Sequence, residues 1–104
     1  MTPFQQQCYD LLKQIPVGYV TTYGELARAM GTQAYQAIGQ VLKRNPNLIE
    51  VPCHRVVKSN GEMGGYVKGA EQKQALLVAE GVKIEAGKVV DFKQKLYRFK
   101  QKTR

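Results

Sequence analysis

Cys53 stands in the run Pro52-Cys53-His54-Arg55-Val56, where a nucleophile, a base and a cation follow one another directly. A cysteine attacks as its thiolate, and a nearby imidazole or cation promotes that form. Adjacency in sequence is not contact, however. On an extended strand neighbouring side chains point to opposite faces, so His54 acts on Cys53 only through a bend or an intervening water. Pro52 gives a reason for a bend. The plainer reading of an isolated Cys-His pair is a buried cysteine beside a surface histidine. The second cysteine, Cys8, lies on an apolar helical stripe and reads as core. Two cysteines and one histidine fall short of the roughly four ligands that a structural zinc site takes, so neither metal nor cofactor is expected.

The elements that must position these residues fit in one domain, because the chain has 104 residues. Phe4, Cys8, Leu11, Leu12 and Ile15 follow the stripe of a first helix, which Pro16 and Gly18 end. Tyr19-Val20-Thr21 reads as extended. Thr22 and Glu25 have the spacing of a capping box at the start of a second helix, closed by Gly31. A third helix runs from about Gln33 to Arg44, with Ala34 or Tyr35, Ile38, Val41 and Leu42 inward. Its other face is small and amide-rich: Gln33, Gln36, Ala37, Gln40 and Arg44. Two short helices around a glycine turn suggest a helix-turn-helix. Asn60-Gly61 carries a hairpin signal, Gly64 to Gly69 a loop, and Ala70 to Glu80 a last helix before Gly81. Val82-Lys83-Ile84 and Val89-Val90 flank an Ala86-Gly87 turn and read as a small hairpin wing. The expected class is mainly α with a small β component, a winged helix-turn-helix domain over residues 1–92. A basic tail over 93–104 is expected to be partly disordered.

Sixteen Lys and Arg against eight Asp and Glu give a net charge of +8. Such an excess favours a polyanionic partner, most simply nucleic acid, over a mere solubility surplus. No apolar run approaches the ~18 residues of a membrane span. The first residues lack the pattern of a signal peptide, and the sparse cysteines fit a reducing compartment. A cytoplasmic monomer is the expectation.

Pro52-Cys53-His54-Arg55-Val56 resembles the active-site motif of the O6-alkylguanine-DNA alkyltransferases. The resemblance runs from Phe4 to about Ile84. Thr22-Tyr23-Gly24-Glu25-Leu26-Ala27 is similar to that family's helix-turn-helix, and Asn45-Pro46, Gly65-Tyr66 and Glu80-Gly81 lie at matching distances from Cys53. The resemblance implies a partner, double-stranded DNA containing O6-alkylguanine, and irreversible transfer of the alkyl group to Cys53. It implies that His54 takes the Cys53 proton through a water while Glu80 orients the imidazole. Asn45 would bond backbone and thiol. Tyr23 would donate a proton to the departing guanine and press on a phosphate during base flipping. Val51, Tyr66 and Val67 would line the base pocket. Gln33, Gln36, Ala37, Gly39, Gln40, Arg44 and Arg55 would face DNA, with the third helix in the minor groove.

Two residues depart from the family pattern. Gln36 stands where the family intercalates an arginine, and Val67 stands where a serine hydroxyl bonds the guanine oxygen. These departures and the short chain also fit the alkyltransferase-like proteins, which bind the lesion without removing the alkyl group and pass it to nucleotide excision repair. Those proteins usually carry tryptophan, sometimes alanine, in place of Cys53. A winged-helix regulator with an incidental cysteine is a third reading. It implies sequence-specific binding indifferent to lesions.

Overall fold

The structure, a computed structural model, describes residues 2–47 and 50–99. Helix α1 spans Pro3–Leu12 and starts on a full capping box, Thr2 and Gln5 satisfying each other's backbone amides. Pro3 occupies the first turn, where its missing N–H costs nothing. Cys8 and Leu12 are buried along the expected stripe. The helix stops before Ile15, which tighter turns bring into the core through Gln14 N to Leu11 O and Ile15 N to Leu12 O.

Strand β1 (Thr21–Thr22) leads directly into α2 (Tyr23–Met30). The Thr22 hydroxyl accepts from the Glu25 amide at 3.0 Å. The reciprocal half of the box is replaced, because the Glu25 carboxylate pairs with Arg28 and Arg98. Gly31 closes α2 in the left-handed region at φ 68°, a conformation free of strain only for glycine. Helix α3 (Tyr35–Lys43) begins two residues later than the sequence suggested. Ile38, Val41 and Leu42 are buried, whereas both Ala34 and Tyr35 are exposed. Helices α1, α2 and α3 pack together around Leu12, Leu26, Ile38 and Val56.

A single helical turn, Cys53–Arg55, follows Pro52 and runs into β2 (Val56–Val57). Strand β2 pairs in parallel with β1, Thr21 opposite Val56 and Thr22 opposite Val57. This short ladder joins the start of α2 to the residues after Cys53. The Asn60-Gly61 turn forms, with Gly61 at φ 87° and the Asn60 side chain accepting from the Glu62 amide. It closes through Lys58 N to Glu62 O at 2.9 Å and does not extend into a regular hairpin, and Glu62 bridges to Lys88 instead. Helix α4 (Ala70–Ala79) ends on Glu80 and Gly81. Strands β3 (Ile84–Glu85) and β4 (Lys88–Val89) form the expected wing, turned by Ala86 and Gly87 at φ 52° and 75°. Val20, Val57, Met63, Leu77, Val82 and Val89 make a second core beneath α4 and the wing.

The basic segment departs from its expected state as a tail. Helix α5 (Phe92–Lys95) crosses residue 92, and the chain then adds to the free edge of β1. Val20 N donates to Lys95 O, Tyr97 N donates to Val20 O, and the Thr21 hydroxyl donates to Tyr97 O at 2.9 Å. Phe99 is buried in the main core and stacks edge-on against Tyr97 at 5.2 Å. Two aromatic rings in this basic run provide the apolar area that composition alone hid. Residues 100–104 lie outside the described residues. Phe99→Ala is expected to destabilise the domain by about 3 kcal/mol, the ordinary cost of emptying a buried phenylalanine site. Urea unfolding checks it, and a loss below about 0.5 kcal/mol would return the segment to the status of a tail.

Candidate active site

Cys53 is buried at the floor of a cavity of about 710 Å³. Tyr23 and Gly24 of α2, Tyr35, Gly39, Leu42 and Lys43 of α3, Ser59, and the loop Gly65-Tyr66-Val67 line it. The position of Cys53 follows from local constraints. Pro52 and the turn behind it bend the chain, and Cys53 N donates to Val51 O at 2.8 Å. Asn45 Nδ2 donates to the same carbonyl at 2.7 Å, and Asn45 Oδ1 accepts from the Asn47 amide. Asn45 thus ties the end of α3 to the residues before Cys53. Val51 itself turns into the main core rather than lining the cavity, a correction to its expected place. An extended reading of Cys53-His54 also gives way to the helical turn, in which successive side chains diverge by about a third of a revolution.

His54 is fully buried, with Nε2 2.8 Å from Glu80 Oε2. Burial works to raise the Glu80 pKa, but hydrogen bonds from Arg55 and His54 outweigh it and hold the carboxyl below its ordinary value. An ionised carboxylate only accepts, so His54 Nε2 carries the hydrogen and Nδ1 of the neutral ring keeps the basic lone pair. Among the described residues Nδ1 has no hydrogen-bond partner. Burial, helped by the Arg55 and Lys73 charges, drives the His54 pKa down against the Glu80 hydrogen bond and charge that raise it, so the imidazole rests neutral. Burial pushes the Cys53 thiol up, against an Asn45 hydrogen bond and the Lys73 charge that pull it down. Cys8 is fully buried and its thiol is pushed up to about 12, chiefly by burial, which leaves it inert.

Arg55 does not face DNA. Its Nε and Nη2 donate to the Glu80 carboxylate at 2.9 and 2.8 Å, and Nη1 donates to Ile15 O at 2.7 Å. The guanidinium is nine-tenths buried and spent on the fold, because Glu80 at the end of α4 needs a cation there. Gln36, Ala37 and Gln40 are exposed on α3, and Gln33 and Arg44 are exposed just beyond its two ends. Gly39 borders the cavity, and a Cβ there would meet nothing within 4 Å, so packing inside the chain does not require this glycine. Gly64 is different. At φ 71° a Cβ would come within 3.2 Å of the Tyr23 hydroxyl. The Tyr66 ring stands edge-on to His54 at 6.5 Å, and Val67 is exposed at the rim.

Sequence reading missed Lys73, a fully buried lysine on α4 whose Nζ donates to Gly65 O at 3.0 Å. Its signal was the spacing of Lys73, Leu77 and Glu80 along one helix face. The cavity-wall residues Tyr35, Leu42, Lys43 and Ser59 were missed as well, and no local pattern marks them.

These features define a small winged helix-turn-helix domain built around a buried, pocketed cysteine. Residues 3–82 match the family 6-O-methylguanine DNA methyltransferase, DNA binding domain, and the chain belongs to that family. A methylated-DNA–protein-cysteine methyltransferase of Thermococcus kodakarensis is 49% identical over 84 residues, 80% of this chain and 47% of that protein. The crystal structure of Mycobacterium tuberculosis OGT in complex with DNA superposes with a TM-score of 0.74 at 42% identity, over 77% of this chain and 50% of that one. S. pombe Atl1, in complex with damaged DNA containing O6-carboxymethylguanine, superposes with a TM-score of 0.81 at 29% identity, over 94% of this chain and 97% of that one. The chain spans about half the length of the methyltransferases it matches.

Both titratable partners at the site act on stability in one direction. His54 has its pKa below the ordinary 6.5, so the unfolded chain takes up that proton first and stability falls as pH drops below about 6.5. The Glu80 contribution is present above the ordinary 4.5 and is lost as pH falls through its lower folded value. Urea midpoints should therefore decline from pH 7.5 to pH 4, and a flat profile would contradict the buried neutral imidazole. Glu80→Gln at pH 7.5 should cost about 3 kcal/mol, since it strands a buried guanidinium.

Proposed function

We propose that this chain is a DNA repair protein that flips O6-alkylguanine out of duplex DNA and transfers the alkyl group irreversibly to Cys53. The observation that carries this reading is His54, held neutral by burial, with Nε2 fixed on Glu80 and, among the described residues, no partner on Nδ1. That arrangement is a base oriented by a carboxylate, the pairing a thiol needs. A water relays the Cys53 proton to His54 Nδ1. The thiolate sulfur then forms a bond to the alkyl carbon as the bond from that carbon to guanine O6 breaks. The departing guanine takes a proton from Tyr23. Exchange with solvent returns the imidazolium and phenolate to neutral, so one proton passes net from thiol to guanine. The thioether is stable, and each molecule reacts once.

A buried thiol reaches only a base that has left the stack. The exposed face of α3 with Gln36, Ala37 and Gln40, together with Gln33 and Arg44 beyond its two ends, is the surface we assign to DNA, and Tyr66 and Val67 border the base. The net charge of +8 supports phosphate contacts with little sequence preference. The full-length likeness to S. pombe Atl1 favours one other reading, lesion binding without transfer and recruitment of nucleotide excision repair proteins. Cys53 with its oriented base weighs for transfer.

Incubation with duplex DNA containing O6-methylguanine should add one methyl group to the intact mass, mapped to Cys53. Cys53→Ala should abolish the gain and keep lesion binding. An unchanged mass with excess lesion under reducing conditions would leave only the binding reading. Gln36→Arg should speed transfer from duplex DNA, because a cationic wedge fills the vacated stack better. It should leave transfer from free O6-benzylguanine nearly unchanged, since nothing is flipped there. Equal effects on both substrates would remove Gln36 from the flipping device.

A further inference from the structure

Tyr35 opens α3 and is 52% exposed, although the sequence offered it as a core residue. It lines the Cys53 cavity from the same helix face as Gly39, Leu42 and Lys43, and its exposure puts the ring at the rim. It also borders a second hollow of about 550 Å³, lined by Gly24, Arg28, Gly31, Thr32 and Gln33 around the turn between α2 and α3. Tyr35 and Gly24 are common to both hollows, so the ring forms part of the ridge between them.

Among the described residues no other ring and no ammonium stacks on Tyr35. The contrast is Tyr19, also exposed, which has Lys95 Nζ 5.6 Å from its centre. Gln36, the next residue in α3, has neither a ring nor a charge and fills a vacated base position poorly. A base that enters the cavity leaves its neighbours unstacked on one side, and that loss must be offset. Those neighbours stay close to the cavity mouth, because a single phosphodiester link joins each of them to the extruded nucleotide. An aromatic ring can stack on any base, whatever the sequence. The net charge of +8 brings the phosphate backbone to the same surface.

We propose that Tyr35 is a stacking residue of the flipping device, its ring lying against the lesion-strand base next to the extruded guanine. The ring replaces part of the stacking that extrusion removes, and so carries the share of the support that Gln36 cannot. It acts on the DNA outside the cavity and not on the reacting base, since half of its surface is open to solvent beside the exposed Gln36. The proposal rests on the reading that an alkylated base enters the Cys53 cavity, but the stacking contact is measurable without any alkyl transfer.

The test is a photo-cross-link. Duplex DNA containing O6-methylguanine carries 5-iodouracil in place of thymine on either side of the lesion, and the Cys53→Ala protein is used so that the lesion persists. Long-wave ultraviolet light joins 5-iodouracil to an aromatic side chain stacked on it. Peptide mass should place the cross-link on Tyr35. Tyr35→Phe should keep it, because stacking needs the ring and not the hydroxyl. Tyr35→Ala should lose it and bind the lesion duplex about tenfold more weakly, the effect of one lost base stack. Its thermal midpoint should be unchanged or higher, because alanine is the better helix former at an exposed position. With Cys53 present, Tyr35→Ala should slow transfer from duplex DNA and leave transfer from free O6-benzylguanine unchanged. No cross-link on Tyr35, or equal slowing with the duplex and the free base, would overturn the proposal. A wild-type protein that takes no methyl from O6-methylguanine DNA would overturn the transfer reading instead, and the cross-link, made on a protein without the thiol, would still decide the role of Tyr35.

Discussion

One carboxylate organises this molecule. Glu80 terminates α4, where the helix dipole disfavours a negative charge, and it stays there because Arg55 and His54 both donate to it. The Arg55 guanidinium also donates to Ile15 O, beyond the end of α1. A single buried cluster therefore fastens α1, the Cys53–Arg55 turn and α4 to one another. Structural and chemical roles cannot be separated at Glu80. The oxygen that accepts from Arg55 Nη2 is the one that fixes the His54 tautomer.

The parallel pairing of β1 with β2 performs the complementary task on the other side of Cys53. With Thr22 opposite Val57, Tyr23 at the start of α2 is delivered to the cavity wall without any choice of loop conformation. Gly64 then allows the pocket loop to close on the Tyr23 hydroxyl, and Asn45 holds the approach to Pro52 through the Val51 carbonyl. The surroundings of the Cys53 thiol are thus set from three directions, by the β1–β2 pairing, the Gly64 turn and the Asn45 side chain. Preorganisation of this sort leaves little conformational entropy to lose when a ligand enters the cavity.

Burial explains the electrostatics of the site better than any single charge does. It raises the Cys53 thiol and lowers both His54 and Lys73, in each case by disfavouring the charged form. The resting site is consequently less charged than its residue list suggests.

Much of this was legible locally. The Thr22 cap, the left-handed glycine after α2, the Asn60-Gly61 turn, the stripe of α1 and the wing all follow from residues within a few positions of one another. The family resemblance carried by the run around Cys53 also pointed to Asn45, Tyr23 and Glu80, and the fold sets Glu80 on His54 and Tyr23 on the cavity wall. What remained hidden depends on contacts across long separations. Whether Arg55 faces DNA or the core is decided by a carboxylate 25 residues away, and the exposed or folded state of residues 93–99 by β1, 76 positions from Tyr97. Lys73 and Val51 are the same case. Their side chains are assigned by the space left between packed elements, and composition or periodicity records the chemistry of a residue but not the neighbour it will meet.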